Sequence, residues 1–225
     1  MAELGYSVER FGQEREPIVI IDDFYSDLEA LRIDAASKSY QKLGPFYPGI
    51  RAQANPAYLG ERMALLTEVL KDVFDFQTGA DLTECAYSLV TTPRDELTPI
   101  QRLPHYDGTD AERLAVLHYL SGEKASGTSF YRHLATGFET VTADRFERYK
   151  STLEEEVAEF GLPPQDYVDE GKPQFTLIGR IASKPNRCIL YRGITLHSGY
   201  IPEGLQFDNK PSKGRLTINT FLSAK

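Results

Sequence analysis

Leu103-Pro104-His105-Tyr106-Asp107-Gly108 is the stretch on which the reading of this chain turns. It holds an imidazole and a carboxylate two residues apart. In extended backbone, positions i and i+2 point to the same side, so one nitrogen and one oxygen can reach a single metal ion without a bend. A third ligand is available far downstream in His197, and Arg215 then opens the strand-like run Arg215-Leu216-Thr217-Ile218-Asn219-Thr220-Phe221-Leu222. His-x-Asp alone arises easily by chance. The order carries the inference: His-x-Asp at the start of a strand-rich half, a long gap, a strand, a His, a loop, and a strand led by Arg.

Two His and one carboxylate on one side of an octahedral ion leave open positions, the donor pattern of non-haem Fe(II) centres that handle O2. A buried Arg is the natural bidentate partner for the carboxylate of a co-substrate. Arg215, Thr217, Asn219 and Phe221 share one face of their strand, which reads as a lined pocket more than a dry core. Taken alone, Arg215 reads equally well as half of a structural ion pair.

With 225 residues the chain is long enough for one domain with a substantial core. Its net charge of -8 argues against a broad phosphate-binding surface, so neither nucleic acid nor a membrane is expected as a partner. Cys85 and Cys188 both lie in apolar, strand-like runs and read as inert buried thiols. No signal peptide or membrane-spanning run is present, and a cytoplasmic location is expected.

Along the chain, residues 1–16 read as an edge strand or as irregular. The short β-branched run from Pro17 to Phe24 reads as a buried strand. Ser26 and Glu29 have capping-box spacing and predict a helix carrying Leu28, Leu31 and Ala35. Residues 44–49 form a turn-rich segment. A second helix is predicted over 57–74 with a stripe of Leu59, Met63, Leu66, Leu70 and Val73, with Met63 as core filler.

Strands are then expected over 85–91, 114–120, 128–132, 175–181, 187–191 and 215–222. A turn over 121–127 is read as joining the strands over 114–120 and 128–132 in a hairpin. A helix over 142–160 interrupts them, with a stripe of Phe146, Tyr149, Leu153, Val157 and Phe160 and a solvated Glu154-Glu155-Glu156 face. His118 reads as a hydrogen-bonded core residue. His133 either lines a substrate mouth or is exposed. Helices first and short strands afterwards give an α+β class, with helices backing one sheet of a sandwich or barrel. The layout is a single domain over 1–225, with a strand-helix layer over about 17–75, a core over about 83–222 and a helical insertion over about 142–160.

The set His105, Asp107, His197 and Arg215 resembles that of the Fe(II)- and 2-oxoglutarate-dependent dioxygenases. The Ile20-Ile21-Asp22-Asp23-Phe24-Tyr25-Ser26 strand-to-helix start looks like the prolyl-hydroxylase-type branch and a little-characterised bacterial group attached to it. The resemblance covers Pro17 to Leu222 and implies a double-stranded β-helix, or jelly roll, with helices packed on one sheet. It implies His105, Asp107 and His197 as iron ligands, and Arg215 as the anchor for the distal carboxylate of 2-oxoglutarate. Tyr119 is implied as a further co-substrate contact, and Thr217, on the same strand face as Arg215, is expected to join it. It also implies hydroxylation of a C–H bond in an amino acid, peptidyl side chain or small metabolite, with release of succinate and CO2. Asp107 matters here, because halogenating relatives carry a small residue at that position to admit chloride.

Residues 200–213 are longer than in compact members of the family and read, with 108–112, as segments that close over the site. Two other readings stand beside this one: a non-catalytic jelly-roll module binding a metal or small acid, and a zinc hydrolase. The latter lacks a His-Glu-x-x-His helix to supply its base.

Overall fold

The computed structural model describes residues 5–121, 126–171 and 173–225. Among these, ten strands form two antiparallel sheets: β1 (Ser7–Arg10), β2 (Pro17–Ile21), β3 (Gly49–Gln53), β4 (Ala80–Val90), β5 (Arg113–Tyr119), β6 (Gly127–His133), β7 (Phe175–Ala182), β8 (Cys188–Arg192), β9 (His197–Tyr200) and β10 (Leu216–Ala224). The major sheet has the order β1-β2-β8-β5-β10-β4-β3, and the minor sheet has the order β7-β6-β9.

Alternation along the central strands explains the layering. On β5 and β10, Leu114, Val116, Leu216, Ile218 and Leu222 turn to an outer core shared with two helices. The intervening Ala115, Leu117, Tyr119 and Phe221 turn inward onto Phe130 and Ile181 of the minor sheet. Each central strand is therefore apolar on both faces, as a strand sandwiched between layers must be. Two facing sheets of this kind define the expected jelly roll and α+β class.

Helix α1 (Leu28–Ser37) buries Leu31 and Ala35, and α2 (Met63–Asp72) buries Leu66, Val69 and Leu70. Both pack on the outside of the major sheet. Helix α3 (Phe146–Phe160) instead contributes Tyr149 to a cluster with Tyr131, Phe175 and Leu196, on the outside of the minor sheet. The helices thus flank both sheets rather than one.

Several local expectations are corrected. Asp27, not Ser26, caps α1 by accepting from the Ala30 N–H, while the Ser26 hydroxyl and N–H both bind Glu61. The predicted 57–74 helix opens as a 3₁₀ segment over Pro56–Arg62, with Gly60 inside it, which turns Met63 out to solvent. Strands β5 and β6 do not form a hairpin: β5 pairs with β8 and β10, and β6 pairs with β7 and β9. The turn expected between them lies largely outside the described residues. β3 and β9 are strands that apolar patterning does not announce. No helix among the described residues is long and apolar enough to cross a membrane.

A candidate metal centre between the sheets

His197 opens β9 opposite Phe130 of β6, with its residue buried. Its backbone is locked to a distant partner. His105 N–H donates to the His197 carbonyl at 2.8 Å, and His197 N–H donates to the His105 carbonyl at 2.8 Å. Two residues on, Asp107 N–H donates to the Gly193 carbonyl at 2.7 Å. The 105–107 segment is thereby held extended against the chain entering β9, so the i, i+2 geometry assumed from sequence is set by pairing across the chain. Gly193 allows the close approach: a Cβ there would sit 3.3 Å from Asp107 Cβ.

The three side chains converge. His105, Asp107 and His197 each offer a ligand atom, and these atoms lie within 4.8 Å of one another. Donors bound cis around an octahedral ion at about 2.1 Å stand about 3 Å apart, so modest rotamer changes would close the set. His197 Nδ1 is 2.8 Å from the Thr195 carbonyl oxygen. Only a protonated Nδ1 can donate there, which leaves the Nε2 lone pair free, 3.5 Å from Asp107 Oδ2. Burial holds the His197 pKa down at about 4. That of His105, an exposed residue whose ring is nonetheless turned in against the site, is pushed down as well by desolvation of the ring, by the His197 ring 4.3 Å away and by Arg51, opposed by Asp107. Both rings are neutral at pH 7, as metal ligation requires. Burial raises the Asp107 pKa, opposed by His105, Arg113 and Arg51.

Arg215 lies deeper on the same inner surface. It is 5% exposed, and its Nη2–H donates to the Gly127 carbonyl at 3.0 Å. Its guanidinium stands 5.7 Å from the Tyr119 ring centroid. No acidic side chain among the described residues pairs with it, and its buried Nε–H has no hydrogen-bond partner. The reading of Arg215 as a structural ion pair is therefore not what the fold shows. Its Nη2 lies 4.0 Å from where a Cβ on Gly199 would be. Gly199 is two residues beyond His197 and on the same face of β9, which puts the cation about 7 Å along the strand from the ligand.

Tyr119 Oη is hydrogen-bonded to Thr128 Oγ1 at 2.7 Å, and Thr217 Oγ1 donates to Asn219 Oδ1 at 2.7 Å. Both side chains turn inward, as the strand parity of the sequence implied. Sequence reasoning missed Tyr47, Arg51 and Ser88. Ser88 is the register partner of both Arg51 and Thr217. The Tyr47 and Ser88 hydroxyls are buried without a well-formed partner, and Arg215 and Arg51 both act electrostatically on Tyr47.

The other two histidines are structural. His118 is fully buried, with Nε2 3.0 Å from Asn186 Oδ1. His133 is also fully buried, bonded to Thr136 and, at 2.7 Å, to Glu156. It is neither exposed nor at the mouth, and Glu156 is consequently not part of a purely solvated face.

The fold is that of a jelly roll carrying a two-His, one-carboxylate cluster between its sheets. Residues 2–222 match a family described as a family of unknown function, DUF6445, and the chain belongs to that family. No curated protein matches it.

Solved structures share the fold at low identity. HygX from Streptomyces hygroscopicus with nickel and 2-oxoglutarate bound is 14% identical, with a TM-score of 0.53, covering 94% of this chain and 84% of its own. The non-heme alpha ketoglutarate dependent epimerase SnoN from nogalamycin biosynthesis is 14% identical at a TM-score of 0.51, covering 93% and 79%. An N-substituted L-amino acid dioxygenase from Burkholderia ambifaria AMMD is 13% identical at a TM-score of 0.50, covering 99% and 97%.

Proposed function

We propose that this protein is an Fe(II)- and 2-oxoglutarate-dependent oxygenase that hydroxylates a C–H bond of a small molecule or an amino-acid side chain. The observation carrying the proposal is the pairing of two features on one inner surface. His197 is fixed with Nε2 toward His105 and Asp107, and two residues along the same strand face a buried arginine has no acidic partner among the described residues. A buried cation without a counterion is costly unless a ligand supplies one. The shared fold with proteins that bind 2-oxoglutarate or depend on it supports the same reading.

The residues present fit both groups. His105, Asp107 and His197 would hold a divalent ion on one side, leaving its other positions free. Arg215, with Tyr119, Thr217 and the Tyr47 and Ser88 hydroxyls near it, would take the distal carboxylate of 2-oxoglutarate. Iron and 2-oxoglutarate would supply oxygen activation, with succinate and CO2 as co-products.

The chain's own contribution is placement and shielding. The Thr195 carbonyl keeps the His197 proton on Nδ1. The inward wall of Phe130, Tyr191 and Leu117 excludes water behind the ligands. Asp107 occupies the position where a halide would need space, which favours hydroxylation. The segments 108–112 and 200–213 would close over the mouth, and the Ile20–Ser26 start supports a place beside the prolyl-hydroxylase-type branch.

The test is anaerobic addition of Fe(II) and 2-oxoglutarate to the wild type and to His105→Ala, with the visible spectrum recorded. A weak charge-transfer band in the wild type only, lost on admitting O2 with succinate formed, is the expected result. Iron binding without the band would instead favour a metal-binding jelly roll without catalysis.

A further inference from the structure

A second arginine on the inner surface is more conspicuously unpaired than Arg215. Arg113 opens β5 and shares its inward parity with Ala115, Leu117 and Tyr119. Its guanidinium carbon lies 4.3 Å from the centroid of the Phe221 ring, which also faces inward. Its Nε–H is buried without an acceptor, and none of its N–H groups makes a hydrogen bond or ion pair to any described residue. Every other arginine that is not exposed donates at least one hydrogen bond among the described residues; Arg51 to Glu84 and Arg192 to Ala111 are examples. A half-buried guanidinium stacked on an aromatic ring, with its whole donor fork free, is preorganised for an anion.

Its position places that anion beside the candidate metal. Arg113 and Asp107 flank the same glycine: a Cβ on Gly193 would meet Asp107 Cβ at 3.3 Å and Arg113 Cγ at 3.5 Å. Asp107 and Arg113 are nonetheless not joined within 4 Å, so the guanidinium is not spent on the ligand carboxylate. From Arg113 the inner face continues across β10 and β4 through Phe221 to its register partner Glu84, which takes Arg51 Nη1 at 2.9 Å. Next to Phe221 on that face is the half-exposed Asn219, whose Oδ1 already accepts from Thr217.

Arg113 and Arg215 stand at different places on the inner surface. Arg215 overlies Tyr119, whereas Arg113 overlies Phe221, the register partner of Ala115. Tyr119 and Ala115 are four residues apart on β5, about 13 Å along the strand.

We infer that Arg113 anchors a carboxylate on the substrate, so that the molecule presented to the metal is a small organic acid rather than a neutral or cationic compound. This rests on the oxygenase reading for the position of the metal and of 2-oxoglutarate. A carboxylate suits the site better than a phosphate: one planar fork meets two oxygens, while Asp107 and Glu84 nearby disfavour a second negative charge.

The test uses the full chain loaded with Zn(II), which is diamagnetic and does not turn over, and with 2-oxoglutarate. Side-chain Nε–H resonances are followed by NMR, that of Arg113 being assigned through its contacts to the Phe221 ring. Acetate is the probe, with acetamide and inorganic phosphate as the comparison arms. A saturable shift of the Arg113 resonance with acetate, absent with acetamide and larger than that of the exposed Arg148, is the expected result. Failure of the Arg113 resonance to move, or movement no greater than that of Arg148, overturns the inference. Tighter response to phosphate than to acetate overturns the carboxylate class. The Arg215 Nε–H reports separately, because it must respond to 2-oxoglutarate itself. If it does not, the oxygenase reading fails whatever Arg113 does.

Discussion

His118 offers a test of the outer core that is independent of any ligand. It lies on β5 beside Tyr119 but on the opposite face, 5.0 Å from the Phe24 ring and stacked at 5.9 Å on Tyr58. Its Nε2–H donates to Asn186 Oδ1, and Nδ1 has no partner. Burial lowers its pKa from 6.5 to about 4, slightly opposed by Asn186. In the unfolded chain the ring takes up a proton near pH 6.5, whereas the folded protein resists this until about pH 4. The unfolded state therefore binds more protons in that window, and stability falls as pH drops through it. Integrated from pH 7.5 to pH 5, this one group costs about 2 kcal/mol.

The assay is urea denaturation of the metal-free protein at a series of pH values, for the wild type and His118→Gln. Gln keeps a donor for Asn186 but does not titrate, and the other histidines contribute equally to both proteins. The variant is expected to be less stable at pH 7.5, yet to lose about 2 kcal/mol less than the wild type between pH 7.5 and 5. Equal losses in the two proteins would refute the reasoning, since they would mean that the ring titrates normally in the folded state.

Other expectations follow from the site and its supports. Arg215→Met should weaken 2-oxoglutarate binding by about 100-fold, on the order of 3 kcal/mol for a charged pair lost at a buried site. Calorimetry on the Zn(II)-loaded protein would measure this while leaving metal affinity as the control. His197→Ala should abolish tight metal binding without unfolding the sheets, which metal titration followed by circular dichroism would check. Gly127→Ala should destabilise by about 1–3 kcal/mol, because a Cβ there would run into the Ile181 carbonyl oxygen. Since the Gly127 carbonyl also accepts from Arg215, thermal melting of that variant should be less raised by 2-oxoglutarate than that of the wild type. Gly49→Ala should detach β3 by colliding with the Leu89 carbonyl, costing a similar amount and removing Arg51 from the mouth.

What could be read from the sequence was local and periodic. β2, β5, β8 and β10 are dense runs of β-branched and aliphatic residues, and their two-sided burial matches that density. β3 is Gly-Ile-Arg-Ala-Gln and β9 is His-Ser-Gly-Tyr, too short and polar to show a strand period. They are strands because β4 and β6 supply the pairing. For the same reason Arg51 could not be connected to the site from sequence, since its place depends on the register of β3 with Ser88. The hairpin expected for β5 and β6 followed the tendency of consecutive strands to pair. In this fold β5 and β6 instead belong to different sheets. His133 was undecidable because its partner, Glu156, sits on a helix that folds back onto the minor sheet.

The reciprocal backbone bonds between His105 and His197 have a consequence for how such a centre can diversify. The spacing of the two imidazoles is dictated by main-chain pairing of two distant segments, not by side chains between them. An insertion in a loop of the intervening chain, such as the one that carries α3, changes loop-closure entropy only slowly with length and leaves the strand pairing that sets the ligand geometry alone. The same holds for the long stretch before β10. These two regions are thus where insertions and new specificities can be accommodated, while the spacing of the two histidines stays fixed by strand register.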